Sequence, residues 1–270
     1  MNIKYACILI FLFESFGLGA SIIKSDTSIK DKLIPYTIKT DLPVGAIIIC
    51  PGGSYSGHAQ HEAEVIAKFF NNAGLNAFVL YYTTGTKCYP KPLQELGETV
   101  RYVRSQSGKW NIKSDKIAVC GFSAGGHLAA SLGCFFEDSL LQMNDVNSCR
   151  PDALILCYPV ISSGQFGHKY SFDTLLGPGH SKELEEKMSL ENHVHNKFPP
   201  VFIWHTMEDE TVPVENSILF ALALKKNEIP FEMQIYPHGK HGLGLAKENE
   251  LVSQWTESCL KWLEINQFKN

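Results

Sequence analysis

The sequence predicts an α/β fold with a mostly parallel central sheet and helices on both faces. Six short apolar runs rich in β-branched or aromatic residues, at 46–50, 77–82, 117–120, 153–158, 201–205 and 231–236, are separated by longer amphipathic stretches. Strands that alternate with helices imply parallel pairing. The runs are almost continuously apolar, as expected of strands covered on both sides.

The predicted helices follow in order. One over 61–73 ends at Gly74, and one over 93–107 ends at Gly108. A third over 124–134 follows a tight turn, a fourth over 215–226 follows Pro213, and a fifth over 250–267 closes the chain. Residues 161–200 break the rhythm. Gly164, Gly167, Gly177, Pro178 and Gly179 precede a short charged helix near 181–190. A stretch this long reads as a lid-like insertion over one end of the sheet. Residues 31–270 are read as a single domain, since no repeat or second core is visible.

With 44% hydrophobic and 19% charged residues, disorder, collagen and coiled coil are excluded. The 24 Lys and Arg against 28 Asp and Glu give a net charge of -4, and no basic run exceeds two residues. That excludes the electrostatic footprint of a nucleic-acid or anionic-membrane partner. Residues 1–20 carry Lys4, an apolar run over 5–13 and small residues at Gly17, Gly19 and Ala20, the layout of an export signal. The run is too short to span a bilayer. A secreted protein is expected, with a cytoplasmic one the alternative because Glu14 directly follows the run. Of the eight cysteines, Cys7 would leave with the signal, while Cys50, Cys120 and Cys157 sit at strand ends and read as small core residues. Cys88, Cys134, Cys149 and Cys259 are candidates for a bridge or two in an exported protein.

The sharpest chemical signal is Gly121-Phe122-Ser123-Ala124-Gly125, which fits G-x-S-x-G between an apolar strand and a helix. Small residues on both sides let the chain turn sharply and hold Ser123 in a strained, exposed position as a nucleophile. A serine needs a base that a carboxylate holds in one tautomer, in the chain order Ser, acid, His. Glu208, Asp209 and Glu210 follow the strand at 201–205, where active-site loops gather. Asp209 is preferred, three residues before Val212-Pro213. His238 and His241 share the glycine-rich loop after the last strand, and His241, flanked by Gly242, is the preferred base. Oxyanion donors are expected from the N–H of Ala124 and of Gly53 or Ser54 in Cys50-Pro51-Gly52-Gly53-Ser54-Tyr55, with Tyr55 lining the substrate pocket. The His58/His61, His193/His195 and His238/His241 pairs lack the companions of a metal site, and no dinucleotide or phosphate loop is present. Neither metal nor cofactor is expected.

The segments CPGGSYSGH, NAFVLYY, IAVCGFSAGGHLAASLG, RPDALILCYPVISSG, HTMEDETVPVENS and PHGKHGLGLA together resemble an esterase family of the α/β-hydrolase fold, that of small acetyl esterases and acetylxylan esterases. The likeness runs from about Pro43 onward. It implies Ser123 as nucleophile, Asp209 as acid and His241 as base, in agreement with the residue-level reading. The Pro-Gly-Gly-Ser loop departs from the His-Gly-Gly-Gly or Pro-Gly-Gly-Gly of relatives, and the serine keeps its backbone donor. The function implied is hydrolysis of a small-molecule or oligosaccharide ester, acetylated xylan-type carbohydrate first. An aryl formamidase or small peptidase with the same triad is the alternative, and an inert binding protein on this scaffold the rival from another class.

Overall fold

The computed structural model describes residues 28–141 and 149–269. The expected export signal over 1–20 and Cys7 lie outside them. Among the described residues seven strands form one sheet: β1 (Leu33–Tyr36), β2 (Val44–Cys50), β3 (Asn76–Leu80), β4 (Ile112–Phe122), β5 (Ala153–Cys157), β6 (Val201–Thr206) and β7 (Phe231–Tyr236). Their order is β1-β3-β2-β4-β5-β6-β7, with β1 antiparallel to β3 and every other pair parallel. This is the expected α/β-hydrolase arrangement with one strand more than the six expected. Edge strand β1 holds only four residues, one of them Pro35. Proline is tolerated there because an edge needs no second set of ladder bonds. Strand β4 begins five residues before its apolar run, with a register shift against β2 that absorbs the polar 113–116 stretch.

The helices are α1 (Ile29–Lys32), α2 (Glu64–Asn72), α3 (Lys91–Ser105), α4 (Ser107–Trp110), α5 (Ala124–Phe135), α6 (Lys169–Leu176), α7 (Lys182–Lys187), α8 (Glu215–Lys226), α9 (Glu250–Ser253) and α10 (Trp255–Ile265). The period-two geometry of β2 divides its residues between two cores. Ala46, Ile48 and Cys50 share the first core with Leu96 and Val100 of α3, Leu128 and Leu132 of α5, and Phe220 and Leu224 of α8. Ile47 and Ile49 share the second core with Ile66 and Phe70 of α2 and Trp255, Trp262 and Leu263 of α10. Each such aliphatic or aromatic side chain, fully buried, contributes about 2 kcal/mol of transfer free energy. No disulfide joins the described cysteines: the Cys134 thiol meets the Leu190 carbonyl at 3.7 Å and the Cys149 thiol that of Phe136 at 3.4 Å. The bridges considered for an exported protein are thus absent among the described residues.

Residues 161–200 pack as part of the first core. The short charged helix expected there is α7, capped by the Ser181 hydroxyl, which accepts from the Leu184 N–H at 3.2 Å. The sequence reading did not expect α6, whose Phe172, Leu175 and Leu176 are buried together with Met188 and Leu190. Buried His127 of α5 ties this segment down. Its Nε2 donates to the Met188 carbonyl at 3.0 Å, which leaves Nδ1 to accept from the Tyr55 hydroxyl at 2.8 Å. Tyr55, expected to line the substrate pocket, lines a small apolar space with Tyr89, Leu93, Leu128 and Met188. Left-handed φ values at Ser54 (53°) and Tyr55 (59°) turn the ring inward, and it is closed to solvent.

Burial pushes the His127 pKa down from 6.5 to about 4. Between those values the unfolded chain binds a proton that the folded chain refuses. Stability is therefore complete above about pH 6.5 and falls as pH drops toward 4, by about 3 kcal/mol for this one group. Burial also lowers the pKa of His58, His168 and His193, so they act in the same direction. Melting curves from pH 7.5 to 4.5 should show His127→Gln starting lower than the wild type and sloping less steeply. Parallel slopes would contradict the assignment.

Candidate active site

Four loops at the carboxyl ends of parallel strands converge on one point. The tight turn from β4 into α5 places Ser123 at φ 52° and ψ -118°, a region that a side-chain-bearing residue occupies only when its surroundings force it. The force is close packing. A Cβ on Gly121 would overlap the Gly125 carbonyl, one on Gly125 would overlap the Cys50 carbonyl, and one on Gly126 would lie 2.7 Å from Pro159. The first intrahelical bond of α5 runs from the His127 N–H to the Ser123 carbonyl at 3.1 Å. The N–H of Ala124 therefore has no carbonyl beneath it in the helix.

The structure brings together the three side chains that the sequence singles out. Ser123 Oγ lies 2.8 Å from His241 Nε2, and His241 Nδ1 lies 2.6 Å from Asp209 Oδ2. A carboxylate only accepts, so Nδ1 carries the imidazole proton and Nε2 is left to accept from the serine. Asp209 Oδ1 accepts from the backbone N–H groups of Thr211 (3.0 Å) and Val212 (2.9 Å). Burial opposes ionisation of Asp209. Hydrogen bonds from His205 and His241, the charge of His241 and the Val212 N–H more than reverse that effect and hold the carboxyl well below the usual range.

His205 is a functional neighbour that the sequence reading missed. It lies inside β6, fully buried, with Nε2 facing two acceptors, the Val212 carbonyl at 2.8 Å and Asp209 Oδ2 at 3.2 Å. That nitrogen must carry the proton, and Nδ1 accepts from the Ser217 hydroxyl at 2.8 Å. Asp209 is thus gripped from the strand below and from its own loop. The carboxylate and histidine not preferred in the sequence pair with each other at the surface, His238 Nδ1 to Glu208 Oε1 at 2.8 Å.

The loop after β2 passes directly beside the serine, for a Cβ on Gly52 would stand 2.9 Å from that of Ser123. The Gly52 N–H is committed to Glu62 Oε2 at 2.7 Å, so Gly53 and Ser54 remain the loop's candidate oxyanion donors. Glu62 is buried, and its other oxygen accepts from the Tyr158 hydroxyl at 2.6 Å. That hydroxyl accepts in turn from the Gly244 N–H at 2.8 Å. Trp255 Nε1 donates to the Gly244 carbonyl at 3.1 Å, and the Tyr158 ring meets that of His241 edge-on at 5.0 Å. Glu62 and Tyr158 therefore lock the loop of Gly53 to the loop of His241. Neither residue stood out in the sequence.

A family profile, BD-FAE, matches residues 31–224. The chain is 41% identical over 231 residues to endo-1,4-beta-xylanase B of Butyrivibrio fibrisolvens, covering 83% of this chain and 36% of that protein. To the acetylxylan esterase of Xylanibacter ruminicola it is 31% identical over 225 residues, covering 81% of this chain and 45% of the relative. It thus spans less than half the length of these two relatives. Among solved structures, the acetyl ester-xyloside bifunctional hydrolase from Caldicellulosiruptor lactoaceticus superposes with a TM-score of 0.83 at 44% identity, covering 88% of this chain and 89% of that one.

Tyr158→Phe should cost about 1–3 kcal/mol, because it strands a buried N–H and a buried carboxylate oxygen. Glu62→Gln should cost a similar amount, since an amide offers one acceptor where the carboxylate offers two. As both changes break the same link, urea unfolding of the double variant should show clearly less than the sum. Additive losses would mean that the two residues act separately.

Proposed function

This chain belongs to the BD-FAE family, and from that membership and the assembled Ser123, His241 and Asp209 we propose that it is a serine carboxylic-ester hydrolase. Its proposed substrate is acetylated carbohydrate of the xylan type. The observation that carries the chemistry is the continuous hydrogen-bonded line from Ser123 Oγ through His241 to Asp209, at 2.8 and 2.6 Å. The substrate class rests on the names borne by the relatives, an acetylxylan esterase and an acetyl ester-xyloside hydrolase.

In the proposed reaction Ser123 Oγ attacks the ester carbonyl carbon while His241 Nε2 takes the hydroxyl proton. The N–H groups of Ala124 and of Gly53 or Ser54 receive the developing oxyanion, each donor lowering the barrier by about 3 kcal/mol. The tetrahedral intermediate collapses, the sugar alkoxide leaves with the proton from His241, and an acyl-serine remains. Water, deprotonated by the same nitrogen, attacks that ester, releases acetate and restores the serine. Asp209 stays ionised throughout and keeps the Nδ1 proton on the imidazole. His205 and the Thr211 and Val212 N–H groups keep that carboxylate charged and still.

The deciding experiment measures initial rates on p-nitrophenyl acetate, butyrate and octanoate, an acetylated xylo-oligosaccharide, N-formylkynurenine and an aminoacyl anilide. Turnover should be confined to the short esters and the acetylated sugar, and Ser123→Ala should abolish it while melting stays nearly unchanged. Preference for the formamide or anilide would overturn the substrate, and activity that survives in Ser123→Ala would overturn the mechanism.

A further inference from the structure

Residues of three separate segments converge on a groove of about 390 Å³ beside the loop of Gly53: Ser56 from that loop, Gly85 and Thr86 from the loop after β3, and Tyr170, Asp173 and Pro178 at and beyond α6. The walls are joined by backbone. The Gly85 N–H donates to the Tyr55 carbonyl at 2.7 Å, and the Lys87 N–H to that of Thr174 at 2.8 Å. The groove is therefore built before any ligand arrives.

Its chemistry is distinctive. Tyr170 is 58% exposed, so its ring is open to a ligand. Asp173 spends Oδ1 on Lys169 at 3.1 Å, and its half-exposed carboxylate keeps acceptor capacity for a ligand hydroxyl. Thr86 and Ser56 also line it, the Ser56 hydroxyl donating to the Gly53 carbonyl at 2.9 Å and so left able to accept. An alkyl chain would find only Tyr170 and Pro178 to cover it. A pyranose would lay its C–H face on the tyrosine ring and offer its hydroxyls to the carboxylate and the two side-chain oxygens. The groove also adjoins the reacting groups. Ser56 in its wall stands two residues beyond Ser54, a candidate oxyanion donor, and the same loop packs against the Ser123 side chain at Gly52.

We propose that this groove is a glycosyl subsite that holds a sugar ring on the alcohol side of the scissile ester, with Tyr170 as the stacking surface and Asp173 as the hydroxyl acceptor. It rests on the esterase reading above. The rival location is a cleft of about 440 Å³ against the loop of His241, lined by His61, Val65, Leu245, Lys247 and Asn249 among others. Its one aromatic ring is the imidazole of His61, whose Nε2 donates to the Gly242 carbonyl at 2.9 Å, and it has no tyrosine, tryptophan or phenylalanine face for a sugar.

The test compares wild type, Tyr170→Ala, Asp173→Asn and Lys247→Ala on p-nitrophenyl acetate, which has no sugar, and on a monoacetylated xylo-oligosaccharide. For Tyr170→Ala the fall in kcat/KM on the oligosaccharide should exceed that on p-nitrophenyl acetate by about tenfold, expressed in KM, with a smaller fall in the same sense for Asp173→Asn. Lys247→Ala should change neither. Equal losses on both substrates, no loss in either groove variant, or a rise in KM with Lys247→Ala alone would overturn the subsite. If the wild type is inactive on both esters, the esterase reading fails, and calorimetric binding of unacetylated xylotetraose then decides the subsite independently. Binding weakened about tenfold by Tyr170→Ala would support it, and binding that is absent or unaffected would overturn it.

Discussion

The first turn of α5 lies so close to the end of β2 that a methyl group on Gly125 would overlap the Cys50 carbonyl and reach within 2.6 Å of that of Pro51. This contact makes the remaining geometry possible. It forces the chain through an acute turn at Ser123 and brings the loop after β2 against the serine side chain. It also aims the open N–H end of the helix at the same point. The strain at Ser123 is sustained by two cores that hold β4 from both faces.

Around that contact the protein spends its buried polar groups on registering loops against one another. Glu62 and Tyr158 join the loop after β2 to the loop after β7. His127 joins the loop after β2 to the 161–200 segment, and His205 fixes the carboxylate from within β6. Every side-chain polar atom of these four residues is hydrogen-bonded, which is the condition for a polar group to be worth burying. The reacting atoms consequently sit on short loops with the rigidity of the sheet beneath them.

The meeting of Ser123, Asp209 and His241 was legible in the sequence because each follows an apolar run, and residues at the carboxyl ends of parallel strands share one edge of the sheet. Strands β2 to β7 were legible for the same reason. Strand β1 was hidden by its brevity and by Pro35, and α6 by the glycines around it. Buried polar residues carry no periodic signal. His205 looks like an interruption of a strand, and Glu62 finds its partner Tyr158 ninety-six positions away. Tyr55 misled because a ring after two glycines suggests an open loop, whereas two successive left-handed residues fold it under.

The pairing of Ser123 with His241 spans 118 positions of sequence, and the loop that carries His241 is pinned through Gly244 by Trp255, at the start of α10. During synthesis the turn at Ser123 emerges long before its partner imidazole, whose loop is then held by Thr206, Asp209 and Tyr158 as well as by Trp255. A chain that ends at α5 gives the Ser123 hydroxyl no imidazole to bond, and the hydrogen-bonded line from Ser123 to Asp209 exists only once the loops after β6 and β7 are both in place.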